Sequence, residues 1–213
     1  MEEYMKIKNL FMFNEKHEIE GESPLFKALK DIVWTGTEKI DGTNVRIYWD
    51  GHEIKYAGRT DKADMPKELK ATLDNIFMNQ EMEYLFEQIF ENKEAYIFGE
   101  GYGPKIQNGG GYSKATKFIV FDITIDGFEL NRENVNDVAK KLGLDYVPTL
   151  YVGNLNGAIE YVKENHKSEI AESEDKKIEG LVLTPCIDIY DRQGHRIKCK
   201  CKYRDVKKYI IED

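Results

Sequence analysis

The chain has 213 residues, 33% of them charged and 41% apolar, with a formal net charge of −8. This length suits one large domain or two small ones with a real core, and the acidic balance argues against a general nucleic-acid coat protein. No apolar run approaches the roughly 20 residues that span a bilayer. The acidic start "MEEYMKIKNLFMF" lacks a signal-peptide layout, and three cysteines (Cys186, Cys199, Cys201) cannot all pair, so a reduced, cytoplasmic protein is expected.

In chain order, "SPLFKALKDI" predicts a short helix with Ser23 as cap and Pro24 at its first position. A loop follows, "TEKIDGTN", with Lys39 placed just before an Asp-Gly pair. "NVRIYWDGHEIKYAG" alternates around Asp50-Gly51 and predicts a hairpin. Leu69, Leu73, Ile76, Phe77, Leu85, Phe86, Ile89 and Phe90 follow helical spacing and read as core. "EAYIFGEGYG" is a strand ending in Glu100 and glycines. The glycine-rich "GEGYGPKIQNGGGYSK" has no Gly-Lys-Ser/Thr opening a helix, so it is no Walker loop. A mobile loop with Lys105, Gln107 and Lys114 against phosphate or sugar, and a plain surface loop, both fit it.

"KFIVFDITIDGFEL" predicts a second hairpin at Asp126-Gly127, and "NRENVNDVAKKLGL" a helix capped by Asn131 and closed by Gly143. "YVPTLYVG" reads as a strand and "NLNGAIEYVKENHK" as a helix. The last strand, "EGLVLTP", leads through a turn at "DRQG" into "HRIKCKCKY". Hairpins with helices between them predict an α+β fold of mostly antiparallel sheets, and the Asp-Gly hairpins exclude a doubly wound parallel fold for most of the sheet.

Lysine is a nucleophile only when neutral, and its reference pKa near 10.4 is lowered by burial or by cationic neighbours. A nucleophilic Lys39 therefore calls for nearby cations and an anionic substrate. "RIKCKCKYRDVKK" supplies seven basic residues in thirteen positions, with one acid. Strand alternation puts Lys198, Lys200 and Lys202 on one face and turns Ile197, Cys199, Cys201 and Tyr203 inward. The cysteines then read as small buried hydrophobes rather than zinc ligands, which usually show paired C-x₂-C spacing. Glu100 and Glu179 lie at the ends of strand-like runs, where a carboxylate can hold a ribose hydroxyl or a Mg²⁺ ion. The four histidines have no metal spacing.

Lys39-Ile-Asp41-Gly42-Thr-Asn44 resembles the first motif of the covalent nucleotidyltransferases, the superfamily of polynucleotide ligases and mRNA capping enzymes. "GRT" with Arg59, "IFGEGYG" with Glu100, "KFIVFDI" with Phe118, "EGLVL" with Glu179 and "IKCK" with Lys198 and Lys200 resemble the later motifs, in order, from about Trp34 to Tyr203. "EKIxGTN" and "KCK" are most similar to RNA ligases of the second phage T4 type. The resemblance implies an ATP-grasp-like ligase adenylation fold, ATP and Mg²⁺ (or Mn²⁺) as cofactors, and a lysyl-AMP on Lys39. It further implies that Glu38 reads adenine, Phe118 stacks on it, Glu100 holds the ribose and Asn44 places the adenylate phosphate. By the same likeness Arg59, Lys198 and Lys200 neutralise phosphates, and Glu179 with Asp41 serves the metal. Lys202, nearer the strand end, is expected to matter less.

Asp41 departs toward the DNA ligase pattern, and only ten residues follow Tyr203. Residues 1–213 are therefore expected to form one bare nucleotidyltransferase domain, without the oligonucleotide-binding barrel or a helical appendage. Nucleic acid, as a nicked duplex or RNA ends, is the expected substrate of a monomer, with a partner protein able to supply a clamp. The expected setting is cytoplasmic, or the host cytoplasm if phage-encoded. A DNA ligase core, and a nucleic-acid-binding protein that kept the fold but lost strand joining, stand as alternatives.

Overall fold

Runs rich in β-branched and aromatic residues build two five-stranded sheets in the computed structural model, which describes residues 1–211. In chain order the strands are β1 (Lys8–Asn9), β2 (Phe11–Phe13), β3 (Ile19–Glu22), β4 (Trp34–Glu38), β5 (Thr43–Trp49), β6 (Ile54–Ala57), β7 (Ala95–Tyr102), β8 (Lys117–Ile125), β9 (Phe128–Glu129), β10 (Thr149–Gly153), β11 (Gly180–Pro185) and β12 (Cys199–Lys202). The helices are α1 (Pro24–Ala28), α2 (Lys67–Phe77), α3 (Gln80–Phe90), α4 (Arg132–Lys141), α5 (Leu155–Lys163) and α6 (Tyr203–Ile211). The fold is α+β, as expected. Contacts divide it into two units, the first being Met1–Met5, Asp41–Val147 and Ala171–Ser173, and the second Lys6–Ile40, Pro148–Ile170 and the chain from Glu174.

The first unit holds an antiparallel sheet in the order β6-β5-β7-β8-β9. Val45, Ile47, Ile97 and Val120 from the sheet meet Leu69, Leu73, Phe77, Phe86 and Val135 from the helices in one core. The β8–β9 turn matches its prediction, since Asp126 and Gly127 both have positive φ (50° and 78°), the geometry of a two-residue hairpin loop. The β5–β6 turn is longer than its Asp-Gly signal suggested. The Asp50 carboxylate accepts from the backbone N–H of His52 and of Glu53, and this widens the loop to four residues. The helical stretch after Pro66 breaks at Met78 and Asn79, where the Asn79 side chain accepts from Met82 N–H and caps α3.

The second unit is organised by the sheet β1-β12-β11-β4-β10, with β2 and β3 as a separate antiparallel pair. Only β1 runs parallel to its neighbour, β12; the other named pairs are antiparallel. Its core gathers Trp34, Phe26, Leu155, Leu181, Leu183 and Val206. Cys199 and Cys201 are fully buried there, and burial pushes both thiols up, so they serve as small hydrophobes as expected. Asn131 and Asn154 cap α4 and α5 through their side chains, whereas Ser23 stands before α1 without a side-chain cap bond. Among the described residues no helix is long and apolar enough to cross a membrane.

Candidate active site

The residues singled out from the sequence fall into two groups, one in each unit. In the second unit, the end of β4 is clasped on both sides: Glu38 N–H donates to Pro148 O and Lys39 N–H to Gly180 O, each at 3.0 Å. β11 starts at Gly180 with φ +155°, and a Cβ there would lie 2.1 Å from the Cys201 carbonyl. Only glycine lets β11 press against β12 at this point. Glu179, immediately before it, is held by Tyr203 N–H donating to its carbonyl at 2.9 Å.

These backbone ties bring three charged side chains together. Lys39 Nζ lies 2.5 Å from Glu179 Oε2, and Lys202 Nζ lies 3.0 Å from Glu179 Oε1. All three are partly shielded, with side-chain exposures of 22, 19 and 13% for Lys39, Glu179 and Lys202. Lys200 sits half-buried on the same strand. Burial above all, and then the ammoniums of Lys202, Lys39 and Lys6, hold its amine below the usual lysine value, against the opposing pull of Glu179. Lys198 lies deeper, only 4% exposed. Lys202, discounted in the sequence as the outermost lysine, is therefore the one paired to Glu179. Strand register explains it: Lys202 is the partner of Gly180, one residue from Glu179.

Glu38 faces the other way. It pairs with Leu181, which in turn pairs with Cys201, so its side chain shares their inward face and is 1% exposed. Its carboxylate accepts from Ser168 Oγ at 2.5 Å and from Glu169 N–H at 3.0 Å. Burial raises its pKa, opposed by those two hydrogen bonds. Both oxygens thus bind the 168–169 segment, which gives Glu38 a structural tie beside the adenine-reading role expected of it. Nothing in the spacing of Ser168 announced this partner.

In the first unit, Asn44 on β5 stands directly opposite Glu100 on β7, so their side chains share one face of the sheet. The Asn44 Oδ1 is buried and has no hydrogen-bond partner among the described residues. Gly42 is no turn residue: a Cβ there would fall 2.3 Å from the Gly101 carbonyl, so it permits β5 to enter close to β7. Asp41 accepts from Asn108 Nδ2 at 2.9 Å, and its N–H meets Tyr112 Oη at 3.4 Å. The glycine-rich loop is thus a built element, anchored by buried Ile106 and Tyr112.

Phe118 takes no part in this face. It is 4% exposed, and its ring lies under Gly99 and edge-on to Phe77 in the core. Arg59 is exposed on the loop after β6. That loop is gripped by Arg46, a fully buried side chain whose guanidinium donates to Gly58 O at 2.7 Å, Asp61 Oδ1 at 2.8 Å, Met1 O at 2.9 Å and Glu2 O at 2.8 Å.

Beside Lys39 and Lys202, the carboxylate placed to meet a metal is that of Glu179. Among the described residues no group of three or more His, Cys, Asp or Glu side chains is placed to hold an ion. One carboxylate suits an ion carried largely by phosphate oxygens and water, as Mg²⁺ commonly is.

A family model described as RNA ligase matches residues 32–203. Among solved structures, a mutant RNA ligase of Naegleria gruberi with AMP and Mn is similar at a TM-score of 0.69 and 17% identity, covering 100% of this chain and 58% of that one. Another mutant of the same enzyme, with ATP and Mn, gives 0.65 and 18%, covering 95% and 61%; the form with PPi gives 0.65 and 19%, covering 98% and 62%. At these identities the likeness is one of fold, and the chain spans about three-fifths of the length of those ligases. A comparison with curated proteins gave no match.

Proposed function

The chain belongs to the RNA ligase family, and on that premise we propose that it is an ATP-dependent RNA ligase that works through a lysyl-AMP on Lys39. The observation that carries this reading is the contact of Lys39 Nζ with Glu179 Oε2 at 2.5 Å, with Lys202 on the other oxygen and Lys200 alongside. A binding module needs no lysine held at a carboxylate among further lysines; a phosphoryl-transfer site does.

The Lys39 nitrogen attacks the α-phosphorus of ATP, forming an N–P bond as the bond to pyrophosphate breaks. Glu179 is at hand to accept the departing proton. Lys200 and Lys202 stabilise the charge that gathers on the phosphate oxygens. An oxygen of a 5′-phosphate end then takes the adenylyl group from Lys39. Finally a 3′-hydroxyl attacks that 5′-phosphorus, AMP departs, and the strand is closed. In the first unit, Glu100 holds the ribose, Asn44 places the adenylate phosphate and Arg59 neutralises phosphate charge. The Naegleria ligase structures with ATP, AMP and Mn support the choice of ATP and a divalent ion. Glu179 is the residue here that would hold that ion, Mg²⁺ or Mn²⁺, which supplies charge neutralisation at the reacting phosphate. Asp41, its expected companion, is engaged with Asn108.

The test is intact-mass analysis after incubation with ATP and Mg²⁺, followed by a gel assay on nicked duplexes that differ only in sugar type on each side of the nick. An AMP adduct on Lys39 and preferred sealing of nicks with RNA on the 3′-hydroxyl side are expected. No adduct would overturn the enzyme reading, and preference for all-DNA nicks would move it to DNA ligase.

A further inference from the structure

The cations of β12 continue into a groove of about 740 Å³ within the second unit. Lys6, Lys8, Lys200, Lys202, Arg204 and Lys208 line it, drawn from the chain's start, from β12 and from α6. Sequence spacing does not predict this meeting; the parallel pairing of β1 with β12 produces it. Asn9 pairs with Lys200, Leu10 N–H donates to Lys200 O at 3.0 Å, and Asn9 Nδ2 donates to Asp205 Oδ2 at 2.8 Å. Asp205 is the one acid in the lining, and it is 4% exposed and tied to Asn9. It also lies 3.6 Å from Arg204 Nε, so it offsets part of the charge of one of the six cations. Phe13 and His17 line the same groove.

Even with Lys202 paired to Glu179 and Arg204 near Asp205, Lys6, Lys8, Lys200 and Lys208 leave the groove an excess of positive charge on a protein of net charge −8, a local field that favours entry of an anion. In the proposed reaction the α-phosphate and its pyrophosphate leaving group need only the Lys39 end, where Lys200 feels both Lys39 and Lys6. Lys8, Arg204 and Lys208 remain for further phosphates, and a pyrophosphate has no use for an aromatic ring. Cations that follow a backbone, with rings for bases to stack on, are the recognition pattern of unpaired nucleic-acid strands.

We propose that this groove carries the backbone of a single-stranded segment of the nucleic-acid substrate toward Lys39, with Lys6, Lys8, Arg204 and Lys208 on successive phosphates and Phe13 stacking a base. This deepens the ligase reading and rests on it only for the identity of the substrate.

The experiment measures fluorescence anisotropy of a labelled single-stranded RNA, with adenylation of Lys39 followed separately. The variants are Lys6→Glu with Lys8→Glu, Arg204→Glu with Lys208→Glu, the matching alanine pairs in case reversal harms folding, and Phe13→Leu, which keeps apolar packing without the ring. Each charge-reversal pair is expected to weaken RNA binding about tenfold or more and to flatten the salt dependence by roughly 0.7 in log–log slope per cation removed. Phe13→Leu should lose about tenfold across the salt range. Melting temperature should stay near wild type in all variants, and adenylation in the Arg204/Lys208 and Phe13 variants; the Lys6/Lys8 pair, whose Lys6 bears on Lys200, is read by its RNA binding. Unchanged RNA affinity would overturn the proposal. So would loss of adenylation with RNA binding intact, which would assign the groove to the triphosphate tail. A blunt RNA duplex bound equally well and indifferent to Phe13→Leu would also refute the single-strand assignment. Should wild type form no adduct, the ligase reading fails, but the anisotropy series still decides the groove.

Discussion

The Lys39 amine and the Glu179 carboxylate meet at 2.5 Å across the ends of two neighbouring strands. The backbone bond from Lys39 N–H to Gly180 O fixes that approach, so the pair is built into the sheet rather than left to two mobile side chains. In the proposed reaction such a pair aims the Lys39 amine and offers its proton an acceptor.

Lys39→Ala and Lys39→Arg should abolish the AMP adduct, since a guanidinium cannot shed its proton here. Glu179→Gln keeps the shape and removes the charge, and should slow adduct formation on the order of 10²-fold or more. Intact mass against time in ATP and Mg²⁺ checks all three. Adduct persisting in both Lys39 variants would sink the nucleophile assignment.

The lysine strand gives an unequal expectation. Lys200→Ala and Lys202→Ala should each cut the adenylation rate about 10²-fold, through lost charge stabilisation at the phosphate. Lys198, buried at 4% exposure, should show its loss mainly as a lower melting temperature in Lys198→Ala. Rates and melts on the three variants test the ranking, and equal mild effects would reduce the strip to a solvated face.

Much of this was legible in the sequence because strand alternation is a local property. The period of two in "KCKCK" foretold the buried cysteines and the outward Lys200 and Lys202 but not the buried Lys198, which lies before β12 begins, and Asp126-Gly127 foretold its own turn. What the sequence hid depends on pairing between distant segments. Lys202 gained its importance from a register that sets it beside Gly180. Phe118 looked available as a stacking ring, but Gly99 opens a space above it and Phe77 closes the other side. Gly42 looked like half of an Asp-Gly turn, yet its freedom serves a close approach of two strands.

That last point is testable. Gly42→Ala would put a Cβ 2.3 Å from Gly101 O and 2.8 Å from Glu100 Cγ. We expect about 1–3 kcal/mol of destabilisation from the forced shift, and a raised KM for ATP because Glu100 must move. Gly110, with nothing within 4 Å of its Cβ position, is the control, and Gly110→Ala should leave both nearly unchanged. Denaturant melts and ATP titration of the adenylation rate measure the two effects.

Glu38 provides a pH signature. Burial raises its pKa in the folded protein above the ordinary 4.5, so folding favours its protonated form. Its contribution is fully present below the unfolded pKa and is lost as pH rises through the folded value. Glu38→Gln removes that titration. Melting curves from about pH 4 to about pH 8 should show wild type losing ground to Glu38→Gln as pH rises through the window just above the normal carboxylate value. Superimposed on this, the amide offers an N–H₂ toward a donor at Ser168 or Glu169, a pH-independent cost of roughly 1–3 kcal/mol. A stability difference that stays flat with pH would mean that the buried carboxylate does not titrate there.

Arg46 is the residue on which the position of Arg59 depends. Its guanidinium makes four hydrogen bonds from a fully buried site, two to the chain's first residues and two to Gly58 and Asp61 on either side of Arg59. Lysine reaches no such fork, because it presents one point charge where guanidinium presents a planar set of donors. Arg46→Lys should therefore leave several carbonyls without donors and cost about 3 kcal/mol. Arg59→Ala, on an exposed side chain, should leave stability unchanged while weakening use of ATP. If Arg46 acts through Arg59, then Arg46→Lys should reproduce the ATP defect of Arg59→Ala when both are assayed well below the melting temperature. The double variant should add little beyond the larger single effect. Full additivity, or normal ATP kinetics in Arg46→Lys, would confine Arg46 to holding the fold.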